Sequence, residues 1–263
     1  MNVLQRNNVK ILAGSGPALV YAHGFGCSQD MWADVVPALA GECQQVLFDY
    51  VGSGQSDLSA YDPVRYRELD GYAQDLIDVC DAVGLQRDVV LVAHSVSCSI
   101  GMLAAIRRPE LFRQLVLVGP NPCFVNAPPY VGGFERDDLQ ELLELMDRNF
   151  MGWASFLAPV VGGASVPVGQ RLQQSFCSTD PVIARQFAEA TFFADNRADL
   201  PRVPTPCLIL QHAQDVLAPL EVGRYLQAHL PRAELRVLDV VGHCAHMSHP
   251  QLVVDAIRSV LPR

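Results

Sequence analysis

The chain has 263 residues, 50% of them hydrophobic, and carries 19 Lys and Arg against 28 Asp and Glu, a formal net charge of −9. A chain of this size and composition buries a substantial core, which excludes disorder, and its acidic balance gives no electrostatic basis for binding phosphate backbones or anionic lipid. Neither nucleic acid nor membrane is therefore an expected partner. Met1–Lys10 has no basic segment followed by an apolar stretch, and no run approaches the roughly 18 apolar residues of a membrane span, so a cytoplasmic protein is expected. Eight cysteines are scattered without paired spacing, and Cys80, Cys98 and Cys207 fall inside apolar runs, so free and mostly buried thiols are expected.

In chain order, short apolar runs alternate with longer amphipathic segments, the pattern of parallel strands buried on both faces and joined by helices. Strands are predicted at Ala18–Ala22, Gln45–Asp49, Val89–Ala93, Gln114–Val118, Pro206–Gln211 and Glu234–Val240. Helices are predicted at Leu69–Val83, where Leu69, Tyr72, Leu76 and Val79 share a face and Gly84 supplies a stop, and at Ser97–Arg107, Leu220–Leu230 and Gln251–Leu261. The alternation breaks between Cys123 and Asp195. There the helical patterns are Asp137–Asn149, an aromatic-rich piece around Trp153 and Phe156, and Pro181–Phe193, with a Gly- and Pro-containing stretch at Val160–Gly169 separating two of them. A structureless loop of that length inside a compact domain is improbable, so a helical lid is expected. The fold class is α/β, a mostly parallel doubly wound sheet: residues 1–122 and 196–263 form one catalytic core and 123–195 an inserted lid.

The chemistry gathers at strand ends. Val89–Ala93 runs into Ala93-His94-Ser95-Val96-Ser97 and then a helix, the strand–turn–helix context of a nucleophile elbow. Ala93 and Ser97 stand where glycine is usual, and an ordinary helix cap at Ser95 is the structural alternative. Asp215 lies just past one later strand run and His243 just past the next, in the order Ser, Asp, His that the α/β-hydrolase fold uses. Ser95 is thus the candidate nucleophile, His243 the base and Asp215 the group that orients it. His23-Gly24-Phe25-Gly26 follows the first strand, and the backbone N–H groups of Phe25 and Val96 are the candidate oxyanion donors. The chemistry is acyl transfer without a cofactor. His243, His246 and His249 are spaced like metal ligands but lack a carboxylate at helical spacing, so no metal is assigned and His246 and His249 are read as structural or surface residues. His94 is read either as pocket-lining or as a core residue. Gly52-Ser53-Gly54 looks like a phosphate-binding turn, yet no Lys and no helix follow it.

With these residues in hand, the chain resembles the RsbQ group of bacterial α/β-hydrolases, whose relatives include the plant karrikin and strigolactone receptors. The stretches Phe48–Asp57, Leu69–Ala73, Arg107–Glu110, Phe176–Pro181 and the run Gly242–Pro250 carry the resemblance beside the triad, over nearly the whole chain. It implies a four-helix lid over an apolar pocket, a small hydrophobic ligand, and a regulatory role with a PAS-domain protein phosphatase upstream of the sigma-B general stress response. Phe124, Phe134, Trp153, Phe156, Phe192 and Phe193, with Phe25 and Val96, are the aromatic and apolar candidates for the pocket wall. Hydrolysis of a small ester or lactone and ligand-dependent signalling with slow turnover are the two expected functions. Perhydrolase and carbon–carbon-bond hydrolase activities use the same triad and stay open.

Overall fold

The computed structural model describes residues 2–262. In chain order it contains α1 (Val3–Arg6), β1 (Lys10–Leu12), β2 (Gly14–Ala22), β3 (Gly41–Leu47), α2 (Leu69–Ala82), β4 (Val89–His94), α3 (Val96–Arg107) and β5 (Phe112–Val118). Four helices follow, α4 (Arg136–Arg148), α5 (Phe150–Gly162), α6 (Val166–Ser178) and α7 (Pro181–Phe192), and then β6 (Cys207–Gln214), α8 (Leu220–His229), β7 (Ala233–Val241), α9 (Ala245–Ser248) and α10 (Pro250–Val260). The seven strands form one sheet in the order β1-β3-β2-β4-β5-β6-β7. All neighbours pair in parallel except β1, which lies antiparallel on β3 at the edge.

Burial explains which segments became strands. Every residue of β4 is buried, and Val, Leu and Ala fill it because both of its faces are covered. One face carries α2, α3 and α8 through residues such as Leu76, Ile100 and Leu226. The other carries α10 through Val253 and Ile257, together with Trp32 and the inward faces of the inserted helices. Helix α2 ends where Gly84 takes φ +78°, and the Leu85 N–H donates to the Cys80 carbonyl at 2.9 Å, satisfying an end that would otherwise be orphaned. Strand order reverses on either side of β2, since β3 lies to one side and β4 to the other, so the carboxyl ends of β2 and β4 flank a topological switch point.

Two helices of the insertion cross at glycines. A Cβ on Gly162 would stand 2.8 Å from the Gly169 nitrogen, and one on Gly169 would stand 3.4 Å from Pro159 Cα. The Gly- and Pro-containing stretch is therefore a tight helix–helix crossing. Its second half is the start of α6, capped by the Ser165 hydroxyl accepting from the Val168 N–H, with a proline in the first turn.

Candidate active site

Strand β4 delivers Ser95 into a strained turn at φ 57°, ψ −123°, held by the Ser95 N–H donating to the Val118 carbonyl at 2.9 Å. Small neighbours permit this. A Cβ on Gly101 of α3 would lie 2.4 Å from Leu91 Cδ2 and 4.0 Å from Ala93 Cβ, so the helix backbone packs directly on the side chains of the strand. Ser97 is fully buried and its hydroxyl donates to the His23 carbonyl. Its one proton goes to that carbonyl, which can only accept, so the Tyr50 hydroxyl 3.1 Å away is the donor to Ser97. The residue that departs from glycine thus ties the elbow to the end of β2.

His243 Nε2 lies 2.8 Å from Ser95 Oγ and His243 Nδ1 lies 2.6 Å from Asp215 Oδ2. Asp215 Oδ1 accepts from the Leu217 and Ala218 N–H groups at 2.9 and 3.2 Å. Burial pushes the Asp215 carboxyl up, but the adjacent His243 and the hydrogen bonds from His212 and His243 outweigh it and hold the group well below the ordinary carboxylate value. With the carboxylate ionised, Nδ1 is the protonated nitrogen of His243 and Nε2 is free to accept from Ser95. The His243 N–H donates to the Val161 carbonyl of α5 at 2.9 Å, and Gly242 before it packs so closely on Gly163 that a Cβ there would stand 2.6 Å from Gly242 Cα.

The Phe25 turn follows β2 at the switch point, and Val96 opens α3, where the first N–H groups have no intrahelical acceptor. The two glycines of the turn make room for side chains. A Cβ on Gly24 would lie 2.5 Å from His94 Nδ1, and one on Gly26, at φ +67°, would lie 2.6 Å from the Phe176 ring. Phe25 itself packs against Trp153, Phe176, Phe187 and Phe192 at centroid distances of 5.9, 6.3, 5.5 and 5.8 Å.

Above Ser95 lies a partly enclosed cavity of about 30 Å³ lined by Phe25, Cys27, His94, Phe124, Leu157, Val161, Leu172, Phe176, Thr191, Phe192, Leu217, His243 and Cys244. Of the aromatic candidates, Phe124 and Phe192 join Phe25 in that wall, and Trp153 backs it through the Phe25 and Phe176 rings. The other three do not reach it. Phe156 is 61% exposed, because the inward stripe of α5 is Trp153, Leu157 and Val161 and Phe156 falls one position off it. Phe193, just after α7, faces an outer groove of about 870 Å³, with the Arg136 guanidinium 4.8 Å from its ring. Phe134 is spent in the loop before α4, donating its N–H to the Phe124 carbonyl at 3.1 Å. Leu157, Leu172, Phe176 and Thr191 are wall residues that were not anticipated. For Leu172 and Phe176 the signal is their i, i+4 spacing, which Pro167 and Gly169 obscure because both read as helix breakers.

Residues 19–256 match the Alpha/beta hydrolase family. The chain belongs to that family. It is 35% identical to a strigolactone esterase of Arabidopsis thaliana, over 100% of this chain and 98% of the relative, and 36% identical to a karrikin insensitive 2 receptor of Petunia hybrida, over 97% and 95%. Among solved structures it is similar to a hydrolase from Oleispira antarctica, with a TM-score of 0.96, 44% identity and coverage of 98% of this chain and 95% of that one.

Other residues of the hydrolase that looked chemical have structural partners. The Gly52-Ser53-Gly54 turn wraps an anion supplied by the chain itself: a Cβ on Gly54 would lie 2.5 Å from Asp49 Oδ2, and Asp49 also accepts from the Gln29 and Gln55 N–H groups at 2.8 and 3.0 Å. His94 both lines the cavity and holds the core, its Nε2–H donating to the His243 carbonyl at 3.0 Å. Burial, then the neighbouring His246 and His243, push its pKa well down, so it stays neutral. His246 is buried against Trp32 and His94, whereas His249 is exposed. Two buried groups have a geometry that could hold a metal ion, His94 with Cys244 and His246, and His212 with Asp215 and His243; within each, the ligand atoms lie within 4.8 Å of one another. Seven of the eight cysteines are buried, Cys177 is half-buried, and all are free. Among the described residues, no helix is long and apolar enough to cross a membrane.

Proposed function

We propose that this hydrolase cleaves a small hydrophobic ester or lactone by acyl transfer through Ser95. The unbroken hydrogen-bonded series Ser95–His243–Asp215 at the floor of an apolar cavity carries the proposal. Asp215 holds the imidazole by Nδ1–H, Nε2 takes the Ser95 proton, and Ser95 Oγ attacks the carbonyl carbon. The Phe25 and Val96 N–H groups receive the oxygen as it becomes negative, and one such donor is worth about 10²–10³ in turnover. His243 then returns the proton to the departing alcohol, and a water activated the same way releases the acid. Hydrolysis of p-nitrophenyl butyrate together with fluorophosphonate labelling tests this: both are expected in the native chain and absent from Ser95→Ala. Equal labelling of the two proteins would overturn it.

The size of the cavity favours a second, compatible reading. About 30 Å³ holds one or two water molecules and no ester, so the lid helices move before a ligand enters. We infer that ligand-dependent lid movement signals to a protein partner, as resemblance to the RsbQ group suggests: a PAS-domain phosphatase serving the stress response in the cytoplasm. One similar protein bears the name of an esterase and another that of a receptor, which supports coupling the two roles. Pull-down of such a phosphatase is expected to depend on ligand. Absence of association with and without ligand would count against the signalling role while leaving the esterase intact.

A further inference from the structure

Asp215 has a second imidazole on the oxygen that holds His243. His212, near the end of β6, is fully buried, and its Nδ1 lies 3.0 Å from the Gly242 carbonyl and 3.3 Å from Asp215 Oδ2. Both neighbours only accept, so Nδ1 carries the proton and Nε2 keeps a lone pair, buried and without a partner. An imidazole in that condition is an expensive occupant of a strand, since an unpaired buried polar atom is destabilising and an aliphatic side chain would cost nothing of the kind. Its single proton touches both halves of the Asp–His pair: the carboxylate, and the residue that leads directly into His243. Gly242 is pinned a second time, through its N–H donating to the Gln214 carbonyl at 2.8 Å. The Gly119 backbone closes the remaining side, where a Cβ would stand 3.1 Å from His243 Cε1 and 3.4 Å from His212 Cε1.

We propose that His212 is a positioning residue for the acyl-transfer reaction, bridging Asp215 Oδ2 and the Gly242 carbonyl so that the carboxylate and the base keep one relative orientation. The proposal rests on the triad reading above. With His212 in place, Asp215 Oδ2 divides its negative charge between two N–H donors. Without it, that charge falls on His243 alone, which favours the imidazolium and so withdraws the base at a higher pH. The other titratable groups facing this pair are His94 from the end of β4, His246 from α9 and Cys244 between them, all buried. Burial pushes His94 and His246 well down and Cys244 well up, so each stays neutral across the working range.

The test is the pH profile of kcat and KM for p-nitrophenyl butyrate in His212→Ala and in His212→Asn, whose side-chain amide N–H can replace Nδ1–H. His212→Ala is expected to lose about ten-fold in kcat with little change in KM, and to move the acidic limb of the profile about half a pH unit upward or more. His212→Asn is expected to recover most of both. Should the alanine variant fail to fold, His212→Leu, which fills the site without a donor, takes its place in the comparison. Ser95→Ala and Asp215→Asn separate the two levels of the reasoning: full activity in these would sink the triad reading itself. If they are inactive while His212→Asn is as impaired as the donorless variant, or the acidic limb stays put, His212 only fills space and the proposal is overturned. A donorless variant with native kcat overturns it equally.

Discussion

Replacing Ser97 by the glycine that commonly follows a nucleophile elbow is expected to harm this enzyme. Ser97 lies in the first turn of α3, fully buried, as the middle link of a hydrogen-bonded series from the Tyr50 hydroxyl through the Ser97 hydroxyl to the His23 carbonyl. Glycine removes that link and leaves two buried polar groups without it, at about 1–3 kcal/mol for an unsatisfied group, plus up to about 1 kcal/mol for glycine inside a helix. Summed over the two groups, a loss of about 2–7 kcal/mol corresponds to a melting point lower by roughly 4–28 °C in a domain of this size. Because the freed carbonyl belongs to the residue leading into Gly24 and Phe25, kcat is also expected to fall, by about ten-fold. Ser97→Ala, which removes the hydroxyl but keeps helix propensity, should lose slightly less of both. Differential scanning calorimetry and ester hydrolysis on the three proteins decide the matter. A glycine variant as stable and as active as the native chain would refute the assignment of Ser97 as a structural tie.

Four further outcomes are expected from the geometry. Asp215→Asn is expected to lower kcat by about 10⁴ while leaving the fold intact, measured by ester hydrolysis with circular dichroism as a check, because the neutral amide favours the wrong imidazole tautomer. The same variant tests linkage. The Asp215 carboxyl sits below its ordinary 3.8, so its contribution to stability is complete above that value and is lost as pH falls; pH-dependent urea unfolding should therefore show a shallower loss below pH 3.8 in Asp215→Asn than in the native chain. Phe192→Ala enlarges a cavity of about 30 Å³, and at about 0.8 kcal/mol per buried CH₂ the ratio of kcat/KM for p-nitrophenyl hexanoate over acetate should rise at least ten-fold. Gly26→Ala combines a left-handed backbone with a Cβ 2.6 Å from the Phe176 ring and is expected to reduce kcat more than Phe176→Leu does, measured on the same ester.

Much of the scaffold was legible because burial on both faces writes itself into a strand. The buried run Val89–Ala93 of β4 is apolar throughout and leads to Ser95, and the buried start of β6 leads toward Asp215, whereas β7 before His243 is an edge strand in which only Val240 is buried. Strand β1 left no such trace: its three residues are exposed at the sheet edge. Helix α6 was obscured by Pro167 and Gly169, which read as breakers until the crossing with α5 shows the proline in a first turn and the glycine at a backbone contact. The pocket wall was the least legible part. Phe156 and Leu157 are neighbours in sequence and both are large and apolar, yet helix phase turns one to solvent and the other to Ser95. His212 is illegible for a different reason, since a lone histidine inside a strand run carries no spacing that links it to Asp215.

The bond from the His243 N–H to the Val161 carbonyl joins the catalytic base to the body of a lid helix. On the reading proposed above, in which these helices move, the free energy of that movement would act in part on the backbone that places the imidazole, and the exchange would run both ways. On that reading, a ligand that engages His243 would shift the balance of helix positions, and the proposed partner, by gripping the helices, would alter how readily Ser95 gives up its proton. Such a joint would make the rate of hydrolysis a gauge of what the proposed partner is doing outside the molecule.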